Sequence, residues 1–189
     1  EELTAQAASL AGFNPYEQPT VRDLLYGVLL PSGADACETL ARAVGGSEEG
    51  FVAMMNQKAE ELGLTNTHFE NCTGLHNDNH YSTCRDIAVL MSECLKSDTF
   101  REIVTREVYT TEATASHPFT SYEMSTTLEN GAVIEGGKTG FTDEAGQCLV
   151  SFAEYGGEEY ILVTAEAMTD SGSAVDSIAD ASTVYGRLQ

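Results

Sequence analysis

Ile134-Glu135-Gly136-Gly137-Lys138-Thr139-Gly140-Phe141-Thr142-Asp143-Glu144-Ala145-Gly146 is the stretch on which the reading of the fold turns. The apolar run Ala132-Val133-Ile134 leads into it, a Thr-Asp-Glu-Ala-Gly turn closes it, and the alternating Cys148-Leu149-Val150-Ser151-Phe152 follows. Apolar runs bounded by glycine-rich turn chemistry read as strands joined in a hairpin. Lys138, Thr139 and Gly140 therefore fall at a strand end, where a cation, a hydroxyl and a backbone without Cβ come together. That trio suits an anionic ligand lying along a strand edge: lysine gives a compact charge, threonine a donor, and glycine close backbone approach.

Outward from this centre the pattern sorts into helices first and strands later. Residues 1 to 19 read as an irregular lead-in ending in the turn Asn14-Pro15-Tyr16-Glu17-Gln18-Pro19. Thr20-x-x-Asp23 is a capping-box start, Leu24, Leu25, Val28 and Leu29 share a helix face, and Pro31 ends that helix. Ala36, Cys37, Leu40, Ala41 and Val44 predict a second helix ending at Gly45-Gly46. Phe51, Met54, Met55, Ala59 and Leu62 predict a third, opened by Ser47 and stopped by Gly63. Residues 65 to 82 have no periodicity and read as a long ordered loop, a kind of segment that often carries function. Thr83-x-x-Asp86 opens a helix through Ile87, Leu90, Met91, Cys94 and Leu95. From Glu107 the character is β: Val108 to Thr111, then 132 to 134, then a hairpin of 147 to 155 and 158 to 167 turning at Gly156-Gly157, before a last helix through Val175, Ile178, Ala179, Ser182 and Tyr185. This order is α+β, a single domain over residues 1–189 with a helical part at about 20–105 and a sheet part at about 106–189.

Composition excludes several function classes. The 30 acidic residues against 9 basic ones give a net charge of -21, which repels nucleic-acid phosphates and an anionic membrane face alike. No apolar run approaches the roughly 20 residues that span a bilayer, and the first residues lack a signal peptide's basic and apolar regions. Five cysteines with no C-x-x-C signal neither a zinc site nor a full disulfide framework. Cys37 and Cys94 fall on apolar helix faces and read as small buried hydrophobes; only Cys72 and Cys84 bracket a polar loop that a bridge could close. The histidines are His68, His76, His80 and His117. His76 and His80 are four apart, but outside a helix that spacing does not aim two imidazoles at one metal, so no metal and no cofactor is read. A His-Asp-Ser triad built on Ser32 or Ser82 lacks the Gly-x-Ser-x-Gly elbow. Asp143 and Glu144 read as solvated or capping turn residues.

A Lys-Thr-Gly strand accompanies a nucleophilic Ser-x-x-Lys and a second serine motif in penicillin-binding proteins and β-lactamases. Ser32-Gly33-Ala34, after Pro31 and before Asp35, fits the second serine motif, a rigid loop between two helix ends. The three lysines, Lys58, Lys96 and Lys138, follow Met55, Glu93 and Glu135 at that spacing, so no Ser-x-x-Lys occurs in these residues. Thr20 to Gly33, Met55-Asn56-Gln57-Lys58-Ala59 with Leu62-Gly63-Leu64, Thr67-His68-Phe69-Glu70-Asn71 with Gly74-Leu75, and His80-Tyr81-Ser82-Thr83 with Arg85-Asp86 together resemble the serine-type D-alanyl-D-alanine carboxypeptidases. These are the low-molecular-weight penicillin-binding proteins of the β-lactamase/transpeptidase-like superfamily.

The resemblance implies a fold of antiparallel sheet packed by helices plus a helical subdomain, incomplete at the N-terminus because the family's nucleophile segment precedes the matching region. It implies removal of terminal D-alanine from peptidoglycan stem peptides ending in D-Ala-D-Ala, through an acyl-enzyme that β-lactams also form, in an extracytoplasmic setting. Carried over by residue, Lys138, Thr139 and Gly140 hold the substrate carboxylate, Ser32 relays a proton to the leaving amine, and the Phe141 N–H is half of the oxyanion hole. Ala34 stands where the family usually has an asparagine that touches substrate and lysine. The chain alone is then expected to be inactive, and the groove left by an absent central helix is expected to be covered by a second copy, by lattice contacts or by rearranged N-terminal residues. Two alternatives stay open: a non-catalytic module that binds cell-wall peptide, and a class A β-lactamase-like hydrolase, although residues 65–82 offer no clear deacylating glutamate.

Overall fold

A computed structural model of the chain describes residues 8–111, 118–167 and 174–189, with the side chains of Ala174 and Val175 outside that description. The sequence readings on residues 1 to 7, His117 and the Val175 side chain therefore lie outside the described residues. The chain forms two compact units, residues 1–82 with 106–121, and residues 83–105 with 122–189. The second unit joins the helical residues 83–105 to the sheet-forming residues 122–189. The helix expected through Ile87 to Leu95, and a short one after it that the sequence pattern does not predict, pack on the sheet of the second unit.

In the first unit, helix α1 (Val21–Leu29) begins with the capping box read from sequence: the Thr20 hydroxyl accepts from the Asp23 N–H at 3.2 Å, and the Asp23 carboxylate accepts from the Thr20 N–H at 2.9 Å. Asp23 and Tyr26 are buried along with Leu24, a wider face than the leucine pattern predicts. Asp23 tolerates burial because the Tyr109 hydroxyl donates to it at 2.8 Å and Thr20 also bonds it; Tyr109 itself stacks on Tyr26 with centroids 3.6 Å apart. Tyr109 lies in β1 (Val108–Thr110), which pairs antiparallel with β2 (Pro118–Thr120).

Helix α2 (Ala34–Gly45) stops at Gly46, whose φ of 76° supplies the left-handed cap, and α3 (Glu48–Glu61) starts where the Ser47 hydroxyl accepts from the Gly50 N–H at 3.0 Å. Only Ala59 of α3 is fully buried, and Met54 is exposed, so that helix packs less of its apolar stripe than its sequence predicts. The loop of residues 65 to 82 is ordered without being regular. His68 and Tyr81 exchange backbone hydrogen bonds of 2.9 and 3.0 Å, and the Asn56 side chain clamps Phe69, donating to its carbonyl at 2.8 Å and accepting from its N–H at 2.9 Å.

The second unit is a four-stranded antiparallel sheet, order β3-β4-β5-β6, made of β3 (Thr126–Thr127), β4 (Val133–Thr142), β5 (Gly146–Tyr155) and β6 (Glu158–Ala167). The β5–β6 hairpin turns at Gly156 and Gly157, with φ of 63° and 85°, the two positive angles that a tight two-residue turn needs. Helices α4 (Cys84–Cys94) and α5 (Asp98–Val104) cover one face, burying Met91, Leu95 and Val104 against Phe152. Helix α6 (Ala174–Tyr185) covers the other, burying Ala181 and Tyr185 against Ile134, Leu149 and Ala153. The Tyr185 hydroxyl donates to the Ser151 carbonyl at 2.9 Å, which ties α6 to β5. No helix among the described residues is long and apolar enough to cross a membrane.

Candidate functional site

Lys138, Thr139, Gly140 and Phe141 lie within β4, a ten-residue strand that continues past the triplet and does not end at it. β3 pairs with β4 only at Val133 and Ile134, whereas β5 pairs along its length to Thr142. Among the described residues, the outer edge of β4 beyond Ile134 thus has no strand partner. Alternate N–H and C=O groups of residues 138 to 141 face that edge, a template on which an extended peptide can be laid.

A bulge between Ile134 and Gly136 sets which way the motif points. Ile134 pairs with Ala153, on the α6 face, whereas Gly136 pairs with Phe152, on the α4/α5 face. Regular alternation would put residues 134 and 136 on one face; the extra residue Glu135 reverses it. Lys138, opposite Val150, then projects on the α4/α5 face, and Thr139 and Phe141, opposite Leu149 and Gln147, on the α6 face. The two polar side chains straddle the strand, and a ligand can meet both only along its edge. Lys138 is half-buried, and its ammonium donates to the Thr139 carbonyl at 2.8 Å, which draws the charge to the strand backbone.

The glycines of this strand divide by cause. A Cβ on Gly136 would stand 2.6 Å from the Val104 carbonyl oxygen, and one on Gly137 would stand 2.4 Å from the Val150 carbonyl oxygen. Both positions are glycine because the packed sheet leaves no room. On Gly140 a Cβ would meet only the Cys148 Cβ, at 4.0 Å, and its φ is not in the left-handed region. Neither packing nor backbone geometry requires a glycine there, so what it keeps open is space beside the strand.

Ser32 sits in the first unit, in the loop between α1 and α2. It is exposed with φ 58°, a left-handed conformation uncommon for a residue with a side chain. The surroundings hold it there. The Gly33 N–H donates to the Gly27 carbonyl at 2.9 Å, and a Cβ on Gly33 would fall 2.6 Å from that of Ala11. The Asp35 carboxylate accepts from three consecutive N–H groups, Ala11 at 2.7 Å, Gly12 at 2.9 Å and Phe13 at 3.1 Å. The sequence marks Asp35 only as the residue that opens α2; its clamp on the lead-in consists of long-range bonds with no local signal. Ala34 is buried in the first turn of that helix.

The three described histidines each bond a residue of their own loop. The His68 Nε2 lies 3.0 Å from Glu70 Oε1, His76 Nε2 lies 3.3 Å from Asp78 Oδ1, and His80 accepts from the Glu70 N–H through Nδ1 at 3.3 Å. Burial pushes His80 below its ordinary value, the Glu70 charge opposing and that of His68 assisting. Among the described residues no three His, Cys, Asp or Glu side chains converge as a metal site. All five cysteines are unbridged in this structure, Cys72 and Cys84 among them. The Cys72 thiol donates to Glu48 at 3.5 Å, and burial together with that carboxylate pushes it up to about 12.

Known proteins match this arrangement over most of the chain. The D-alanyl-D-alanine carboxypeptidase (peptidase S11) family model matches residues 2–169. The D-alanyl-D-alanine carboxypeptidase DacF of Bacillus subtilis is 39% identical over 168 residues, covering 86% of this chain and 43% of that protein; a Streptomyces D-alanyl-D-alanine carboxypeptidase is 36% identical over 157 residues, covering 77% and 54%. The chain thus spans about half the length of these relatives. The crystal structure of a Streptomyces DD-transpeptidase superposes with a TM-score of 0.81 at 33% identity, over 98% of this chain and 74% of that one. A D-alanyl-D-alanine carboxypeptidase from Mycobacterium tuberculosis also gives 0.81, at 28% identity over 94% and 67%. With its helices on both faces of an antiparallel sheet and the Lys-Thr-Gly strand at the sheet's open edge, the chain belongs to the D-alanyl-D-alanine carboxypeptidase family.

Proposed function

We propose that this chain is the substrate-gripping portion of a serine-type D-Ala-D-Ala carboxypeptidase acting on peptidoglycan stem peptides in an extracytoplasmic setting. The observation that carries the reading is that, among the described residues, β3 pairs with β4 only at Val133 and Ile134, so no strand runs alongside the stretch of β4 that holds Lys138, Thr139, Gly140 and Phe141 on the side away from β5. Along that edge the Lys138 ammonium and Thr139 hydroxyl hold the peptide's terminal carboxylate, and Gly140 lets its backbone come close. The Phe141 N–H receives the negative charge that develops on the scissile carbonyl oxygen when a serine attacks. Such a donor is worth about 100-fold to 1000-fold in rate. The C–N bond then breaks, Ser32 passes a proton to the departing amine of D-alanine, and water releases the shortened peptide from the serine ester. β-Lactams, which carry an equivalent carboxylate, occupy the same edge.

None of the three lysines follows a serine at three-residue spacing, so the attacking serine and its lysine are not among these residues. The chain by itself therefore takes no covalent label from a fluorescent penicillin, while a protein that joins it to a Ser-x-x-Lys segment does. In the joined protein, Lys138→Ala lowers kcat/KM for D-alanine release by about 100-fold or more. A stable acyl-protein formed by the chain alone refutes the account of the nucleophile. Self-association belongs to the same proposal: Val21, Val44 and Met54 are exposed on α1, α2 and α3, and sedimentation that yields only monomer counts against it.

A further inference from the structure

Phe141 is 57% exposed, a large apolar ring held toward water at the motif of a chain whose net charge is -21. Scattered exposed apolar residues need no explanation, but this one shares a face with Thr139, two positions back along the same strand. Successive residues of a strand rise about 3.4 Å, so the ring and the Thr139 hydroxyl stand roughly 7 Å apart on one side of the edge. Lys138 is on the other side. Opposite Phe141 across the ladder is Gln147, which is buried, and beyond it Ala167, so the neighbouring strands offer no apolar pocket at this level.

Resting on the proposed carboxylate site, we infer that the Phe141 ring is a specificity wall. It packs against the side chain of the ligand's penultimate residue, and it selects a small apolar group over hydrogen or a charged group. The geometry follows from the strand. A ligand whose terminal carboxylate is at Thr139 and whose preceding carbonyl faces the Phe141 N–H has its penultimate Cα beside residue 141. The side chain on the α6 side of that ligand meets the ring. An apolar substituent there covers ring surface that is otherwise in water; a missing methyl leaves it wet, and a charge loses hydration without a partner. Residue 141 thus acts twice, through its backbone on the reacting carbonyl and through its side chain on the identity of the group attached to it.

Calorimetric titration of the chain with three peptides tests this: one ending in D-Ala-D-Ala, one ending in Gly-D-Ala, and D-Ala-D-Ala with an amidated terminus. The unmodified chain is expected to favour D-Ala-D-Ala over Gly-D-Ala by about fourfold, the value of one buried methyl. Phe141→Ala is expected to erase that preference, and Phe141→Leu to keep part of it. Because the ring is exposed, both variants keep the fold, and thermal melting verifies it. An undiminished preference in Phe141→Ala, with binding still lost on amidation, overturns the wall and leaves the carboxylate site standing. Equal binding of the amidated peptide overturns the carboxylate site and the wall with it.

Discussion

Alanine at Gly137 and alanine at Gly140 should move stability in opposite directions although they are three residues apart on one strand. At Gly137 the new methyl carbon would stand 2.4 Å from the Val150 carbonyl oxygen, 2.9 Å from the Ser151 Cα and 3.1 Å from the Met124 sulfur. The first two are backbone atoms of the neighbouring strand, so the ladder must open to relieve them. Overpacking of this kind costs about 1–3 kcal/mol. With a urea slope of roughly 1–3 kcal/mol per molar, a loss of about 2 kcal/mol moves the unfolding midpoint down by about 1 M. At Gly140 nothing lies nearer than 4.0 Å, and replacing a strand glycine gains up to about 0.5–1 kcal/mol, so the midpoint stays or rises. Peptide binding behaves the other way, since the Gly140 methyl occupies the space that the ligand backbone needs. Urea melts of both variants, followed by peptide titration of Gly140→Ala, decide the matter. A midpoint for Gly140→Ala more than about 0.5 M below the parent, or full peptide affinity in that variant, refutes the argument that this glycine is kept for the ligand.

Asp35→Ala removes three hydrogen bonds from a carboxylate and should destabilise the chain by about 2–3 kcal/mol, with faster amide exchange at residues 11 to 13 as the local sign. Tyr109→Phe leaves Asp23 without one donor and should cost about 1 kcal/mol in the same melt. His80 titrates below its ordinary value because burial disfavours its charged form. The unfolded chain therefore binds the proton first as pH falls, so stability is full above about 6.5 and declines below it, and His80→Gln should flatten that slope. For Asp23, burial alone would raise the carboxyl, but hydrogen bonds from Thr20, Thr111 and Tyr109 hold it below the ordinary aspartate value. Its contribution is present above that value and is lost as pH falls through the lower folded one, so Asp23→Asn should weaken the acid sensitivity of unfolding in that range.

What could be read from the sequence was what is encoded locally. Thr20 with Asp23, Ser47, Gly46 and the Gly156-Gly157 turn each fix an element boundary through bonds a few residues long, and each stands where the pattern put it. The strand signal around Lys138 was equally local, although the strand proved longer than its apolar run because β5 supplies partners out to Thr142. What escaped reading depends on register between distant segments. The bulge at Glu135 exists only in the pairing of β4 with β5, yet it decides that Lys138 takes the α4/α5 face and Thr139 the α6 face, not the reverse. α5 went unread because seven residues are too short for a periodic pattern, and only the Ser97 cap marks its start. The division into units was hidden for a similar reason: the apolar stripe of α4 names no partner until Phe152 is brought beneath it. Ser32 was legible as a loop residue after Pro31, but its left-handed backbone and the Asp35 clamp behind it were not.

The central claim is that the β4 edge grips a free carboxylate through Lys138. Titration of the chain with a D-Ala-D-Ala peptide at two salt concentrations, beside Lys138→Ala and Lys138→Arg, tests it most directly. The account predicts saturable binding that weakens with salt, disappears in Lys138→Ala and returns in part with Lys138→Arg. Undiminished affinity in Lys138→Ala would contradict it.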